Sequence, residues 1–290
     1  MIKSFWYRIH QKDAGWTDSI VLLFFLTVIL DELGRLVGDI VTPILISPFD
    51  DEFAYTLGIY LSFIGVWIVF LLYFLTKRNR FMYGILGREL KGNTVCNLLL
   101  GFLIGFLMNG VCVLAAVMHG DIHIYPDGFR PFELLLLFFA VFIQSTAEEL
   151  TCRGFLYQRL RQSYINPSVA ILGNALLFAF MHIANPGISP LAIVFITMAG
   201  VVFSVLMYFF DSLWMAMAVH TAWNYTQNII FGLPNSGIVT RFSIFRLDAA
   251  SARDSFFYSV GFGVEESSMA VLVMGLVTVL ILVCNKYKKQ

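Results

Sequence analysis

Charge is scarce in this chain. Only 13% of its 290 residues are Asp, Glu, Lys or Arg, against roughly 25% in an average globular chain. That scarcity excludes an ordinary soluble domain. Cysteine is sparse as well: Cys96, Cys112, Cys152 and Cys284 stand far apart in apolar segments, and no CxxC spacing occurs. This excludes a disulfide framework, and the four read as small buried hydrophobes. The formal net charge is zero, which gives no ground for a nucleic-acid partner. Internal repeats, low-complexity tracts and a soluble domain are lacking too. The basic, aromatic start, MIKSFWYRIHQKDAGWTDS, has no small-residue cleavage site after a short apolar core, so a removable signal peptide is not expected.

What is present is hydrophobic: 59% of the residues, with a mean hydropathy of +0.79. A membrane-spanning helix needs about 20 mainly apolar residues. Eight segments meet that need, at about 18–39, 53–76, 94–118, 132–158, 168–186, 190–210, 212–231 and 267–285. The fold class expected is all-α, a polytopic transmembrane bundle of about eight spans. The chain divides into N-terminal helices and surface segments (1–130), a four-helix core (131–231), and an external loop with a last helix (232–290). The stretch 81–93 reads as a short amphipathic piece at the surface.

Lys and Arg set the orientation. Lys3, Arg8, Lys12, Lys77, Arg78, Arg80, Arg88, Lys91, Arg153, Arg159, Arg161, Lys286, Lys288 and Lys289 fall on one side. Arg130, Arg241, Arg246 and Arg253 fall on the other. Both termini are therefore expected in the cytoplasm of a multi-pass cell-membrane protein. Trp6, Tyr7, Trp16 and Tyr287 suit interfacial anchors.

Ionisable residues inside a membrane helix point to function by default. Three clusters meet that description. In AEELTCRGF, Glu149 and Arg153 are helical i, i+4 neighbours and can pair. Glu148 is rotated about 100° away and is left without the arginine, free to serve as a general base on water. The plainer reading is an interfacial pair at a helix end with Glu148 in solvent. In LLFAFMHIANP, Asn174, Phe178 and His182 share one helix face; a lone histidine there is more often structural. In MAVHTAWNYTQN, His220 and Asn224 lie one turn apart, and both are donors of the kind a developing oxyanion needs. Interhelical hydrogen bonding is the plainer reading. Helix rise puts Glu148, His182 and His220 at similar depths, roughly 13–22 Å from their helix ends. One shared pocket requires the Glu148 helix to run on to about Arg159, with Arg153 buried and paired.

EELTCR, FAFMH and HTAWN fit EExxxR, FxxxH and HxxxN. In that order and over about 130–230, the chain resembles the CPBP family of intramembrane proteases, the CAAX-protease and bacteriocin-processing group with its Rce1-type and Abi members. The resemblance implies roles. Glu148 resembles the base that activates water, His182 its partner in holding that water, and His220 with Asn224 the oxyanion donors. Glu149, Arg153 and Phe178 are supporting. The apolar residues around these positions suggest a hydrophobic or lipidated peptide or protein as substrate, with membrane lipid around it. HExxH is absent, so no cofactor is expected; if zinc were bound, its ligands would be Glu148, His182 and His220.

Other residues are set aside. Cys152 has no base placed for it. Ser145 and Thr146 read as helix-packing residues. His119 and His123 fall in a loop. Asp31, Glu32 and Arg35 read as a helix-end pair, and Glu265 and Glu266 as a solvated cap. Two rivals to an endopeptidase remain: a non-catalytic immunity or scaffold protein on the same fold, and a proton-relaying transporter. The missing internal repeat speaks against the transporter.

Overall fold

Helix dominates the computed structural model, which describes residues 9–286. The anchors Trp6, Tyr7 and Tyr287 and the cations Lys3, Arg8, Lys288 and Lys289 lie outside the described residues. In chain order the helices are α1 (Ile20–Ile46), α2 (Asp51–Leu61), α3 (Ile64–Phe74), α4 (Met82–Leu86), α5 (Val95–His119) and α6 (Pro131–Glu149). These are followed by α7 (Tyr157–Ser163), α8 (Pro167–Met181), α9 (Pro190–Phe210), α10 (Leu213–Asn224) and α11 (Ser268–Lys286). Helix occurs in each of the eight apolar segments. Among the described residues, five helical stretches are long and apolar enough to cross a membrane: Asp51–Phe74, Val95–His119, Pro131–Ser163, Pro190–Phe210 and Ser268–Asn285. The architecture fits an all-α membrane bundle.

The helix starts follow local chemistry. Ser189 and Ser212 accept from the backbone N–H groups of Ala192 and Met215, and Asn166 from that of Ser168. Each satisfies a donor that the first turn leaves orphaned. Pro131, Pro167 and Pro190 occupy the first helical positions, where a missing N–H costs nothing.

Several expectations need correction. α1 does not stop near residue 39 but runs to Ile46, so Asp31 and Arg35 form a mid-helix pair, not a helix-end one. α8 ends at Met181 with His182 as its cap, short of residue 186. Pro186 disfavours helix in the residue before it, and Gly187 turns the chain with a positive φ of 76°. The span at 132–158 is not uniformly α-helical: Leu150–Leu156 form a π turn between α6 and α7. The reading of all four cysteines as buried holds only for Cys112 and Cys152; Cys96 and Cys284 are exposed, and all four are free. The loop after α10 also contributes a small ribbon, β2 (Phe245–Leu247) pairing antiparallel with β1 (Ile124–Pro126), which the periodicity of the apolar runs did not reveal.

α10 is the inner helix. It packs on α5, α6 and α9, and Leu213, Met215–Val219 and Thr221 are all buried. Its approach to α5 depends on Gly101 and Gly105. A Cβ on Gly105 would stand 2.3 Å from the Val219 carbonyl oxygen, and one on Gly101 would stand 2.7 Å from that of Met215. Small residues four apart let the two backbones close up, as is common between membrane helices.

Candidate active site

α6 brings Glu148 and Glu149 to its last turn, both buried. The π turn that follows carries Arg153, which is fully buried. Arg153 Nη1 donates to Glu149 Oε1 at 3.0 Å and Nη2 to the Gly200 carbonyl at 3.1 Å. Its guanidinium also lies 4.7 Å from the Phe178 ring centre and 5.0 Å from that of Phe203. Aromatic faces attract a cation most when it is desolvated. The charge is thus met on every side by an anion, a carbonyl and two π faces. The helix runs on through Arg159 to Ser163.

Glu148 makes no ion pair with Arg153. Its Oε1 accepts from Gln144 Nε2 at 2.6 Å. Its Oε2 is buried without a hydrogen-bond partner and faces His182 Nε2 at 3.9 Å and His220 Nε2 at 3.7 Å. Those separations are too long for direct hydrogen bonds and suit one bridging water. The other ring nitrogen of each histidine is committed. His182 Nδ1 lies 2.7 Å from the Phe178 carbonyl oxygen, and His220 Nδ1 lies 2.9 Å from Glu149 Oε1. Both of those oxygens only accept, so Nδ1 is the donor in each ring and Nε2 is the nitrogen turned towards Glu148. Phe203 stacks on the His220 ring with centroids 5.0 Å apart, and Phe178 meets it edge-on at 5.8 Å.

Asn224, the last residue of α10, is also buried. Its Nδ2 donates to Gln144 Oε1 and to Ser145 Oγ, each at 3.1 Å. A second π turn, Tyr225–Ile230, begins right after it. Both π turns therefore abut a candidate residue, and π turns break the α register in a way often found at functional sites.

Glu148, His182, His220, Asn224 and Phe178 line one cavity of about 650 Å³. The structure brings the sequence-derived residues together, with Glu149 and Arg153 packed behind them. His119 and His123 take no part in it: His119 Nδ1 bonds the Asp121 carboxylate at 3.0 Å. Cys152 is buried and does not line the cavity. Glu148, His182 and His220, the alternative zinc ligands, do converge, with Oε2 3.9 and 3.7 Å from the two Nε2 atoms.

Several residues of this cavity carry no signal in the three motifs. Gln144 sits one turn before Glu148 and bridges it to Asn224. Ser145, read as packing, lies in the same hydrogen-bond group. Asp31 and Arg35 of α1 form part of the wall, with Thr151 Oγ1 donating to Asp31 at 3.3 Å. Glu265 is no solvated cap. It is buried, and it accepts from Trp223 Nε1 at 3.1 Å and from the Ser236 backbone N–H at 2.5 Å. Burial pushes its carboxyl up from the usual 4.5 to about 7. Its distance in sequence from the motifs hid it; a buried glutamate just before an apolar helix gives no periodic signal.

The apolar helical bundle shelters carboxylates, an arginine and two imidazoles in one cavity. Residues 130–226, about a third of the chain, match the family described as type II CAAX prenyl endopeptidase Rce1-like, which supports a CPBP/CAAX-protease assignment for that segment. No curated protein and no solved structure matches the chain.

Proposed function

We propose that the protein is an intramembrane endopeptidase that hydrolyses a peptide bond of a hydrophobic or lipidated substrate by direct attack of water. One observation carries the reading: the open oxygen of Glu148 meets the Nε2 atoms of His182 and His220 at 3.9 and 3.7 Å, with both rings fixed from behind. In the proposed first step Glu148 takes a proton from water held between it and His182, and the water oxygen bonds to the scissile carbonyl carbon. The negative charge passes to the carbonyl oxygen. Asn224 Nδ2 exchanges one of its two bonds, the one to Ser145 Oγ, for a bond to that oxyanion, and His220 joins it whenever Nε2 carries a proton. In the second step Glu148 returns its proton to the departing nitrogen, the carbonyl re-forms as the C–N bond breaks, and a carboxylic acid and an amine leave, the acid losing its remaining proton to water. No acyl-enzyme forms.

Glu149 and Arg153 act from behind: the pair orients His220 through Nδ1. Apolar side chains such as Ile59, Phe180 and Met274 form much of the remaining wall, which favours an apolar or lipid-bearing peptide. Metal-independent catalysis, about eight spans and cytoplasmic termini belong to the same proposal. The test is cleavage of a quenched hydrophobic peptide in detergent micelles by wild type and Glu148→Gln, with and without chelator. Chelator-resistant cleavage in wild type alone is expected. Equal cleavage in both proteins, with equal folding, would return the chain to a non-catalytic role.

A further inference from the structure

Two loop residues beyond the family match, Asn235 and Glu265, are tied into the site. Asn235 Nδ2 lies 3.1 Å from Asn224 Oδ1 and 3.3 Å from Glu265 Oε1. An amide nitrogen only donates, and its two hydrogens serve these two acceptors. The oxygen of Asn224 is therefore taken, and its Nδ2 is turned to Gln144 Oε1 and Ser145 Oγ. The oxygen of Gln144 also accepts from Ser145 Oγ at 3.0 Å, so its Nε2 is the end that donates to Glu148 Oε1. Gln144, Glu148, Asn224, Asn235 and Glu265 are all buried, and the low local polarity strengthens these bonds.

The order of donors matters because a carboxamide has nearly the same shape with O and N exchanged. Packing does not choose between the two orientations; hydrogen-bond partners do. Here the choice is made at the far end. Glu265 Oε1 is an acceptor already held by Trp223 Nε1. Facing it, Asn235 must present nitrogen. Asn224 must then present oxygen to Asn235 and nitrogen to Gln144. If any amide in the row turned over, two acceptors or two donors would meet in a buried site, which costs about 1–3 kcal/mol for each group left unsatisfied.

We propose that Gln144, Asn235 and Glu265 are positioning residues: the side-chain relay Glu265–Asn235–Asn224–Gln144–Glu148 fixes the direction of the Asn224 donor and leaves Oε2 as the one open oxygen of Glu148. The relay reaches from the turn before α11 (Val264–Glu266) to the base at the end of α6. It rests on the endopeptidase reading, and it makes the region after residue 226 part of the working site.

The test is a kinetic cycle on Asn235→Ala, Glu265→Leu and their double variant, assayed as purified full-length protein on the quenched hydrophobic peptide. Each single change should lower kcat by about 10-fold with KM within about twofold, short of the roughly 10²–10³-fold typical of losing an oxyanion donor outright. Because Glu265 acts through Asn235, the double should lose no more than the worse single. Glu265→Gln keeps a side-chain oxygen for Asn235 and should recover most of what Glu265→Leu loses. Wild-type kcat in both singles, losses that multiply in the double, or no recovery with glutamine would each overturn the relay. Unfolding midpoints in micelles are measured alongside. If a loop variant does not fold, Gln144→Ala decides from the other end: a comparable fall in kcat supports the relay, and an unchanged kcat overturns it. Cleavage that is the same in wild type and Glu148→Gln removes the endopeptidase reading itself. Cleavage that needs Glu148 but ignores Gln144, Asn235 and Glu265 removes the relay alone.

Discussion

Replacing Arg153 by methionine isolates the structural half of the glutamate pair. The methionine fills much of the arginine's volume, so a large cavity is not created. What is lost is the partner of Glu149. Arg153 Nη1 stands 3.0 Å from Glu149 Oε1, both side chains are fully buried, and the other oxygen of Glu149 has no hydrogen-bond partner. After the substitution one donor remains, His220 Nδ1 at 2.9 Å. The Gly200 carbonyl also loses the guanidinium, though it keeps the Ser204 hydroxyl at 2.7 Å. Removing one partner of a buried pair costs about 3–5 kcal/mol, most of it the penalty for stranding the other charge. That is about a fifth or more of the roughly 5–15 kcal/mol that holds a typical domain folded.

The double variant Glu149→Gln/Arg153→Met separates the penalty from simple damage. With the stranded charge gone, stability should return to within about 1 kcal/mol of wild type, since neutral replacements of buried pairs are often tolerated. Activity should not return in full. Glutamine can still accept from His220 Nδ1, but it places no negative charge behind the imidazole. Equilibrium unfolding in mixed micelles measures the first quantity and peptide cleavage the second. A single Arg153→Met variant as stable as wild type would refute the reasoning. So would a double variant no more stable than the single.

Three further outcomes follow from the site. Asn224→Ala should fold normally and lower kcat by about 10²–10³-fold, read by steady-state cleavage. Glu265 gives a pH dependence of known sign. Its carboxyl sits near 7 when folded, against 4.5 as a free side chain, so between those values the folded protein holds a proton that the unfolded chain releases. Stability from this group is complete below 4.5, falls as pH rises, and is gone above about 7; the whole effect is at most about 3 kcal/mol. Glu265→Gln should flatten that slope in unfolding midpoints taken between pH 5 and 8. His220 and Tyr60, which both feel the Glu265 charge, are present in both proteins. Gly105→Leu should push α10 away from α5, destabilise the protein by roughly 1–3 kcal/mol and reduce cleavage, because the displaced helix carries His220 and Asn224.

The sequence was most informative where one helix determined the answer. The apolar runs located the helical segments because lipid demands both length and apolarity of a span. The i, i+4 spacing of Glu149 and Arg153 foretold their 3.0 Å contact, and the rotation between adjacent residues separated Glu148 from the pair. It was least informative where two distant segments meet. Nothing near Asp31 shows that Thr151 donates to it, and nothing near Glu265 shows that Trp223 and Asn235 will surround it. Both carboxylates sit near a helix end or in a loop on a hydropathy plot, and solvent is the default reading there. The π turns were equally hidden, since the residues Leu150–Leu156 suit an α-helix by propensity.

Two adjacent carboxylates in a poorly hydrated bundle repel each other unless their surroundings differ. Here they differ because a helix turns consecutive side chains by about 100°. One oxygen of Glu149 is shared by a guanidinium and an imidazole, so that carboxylate is anchored and its charge is met, although its other oxygen has no partner. Glu148 is held through a single oxygen by a neutral amide, which orients it without supplying a countercharge. Its second oxygen is therefore restrained yet unspent, a buried acceptor without a partner. The same sequence neighbour that anchors the arginine also aligns His220 towards that oxygen, so replacing Glu149 should misplace the imidazole even though Glu149 does not line the cavity. The pairing of a committed glutamate with an uncommitted one is what lets a carboxylate remain available for proton transfer inside an apolar protein.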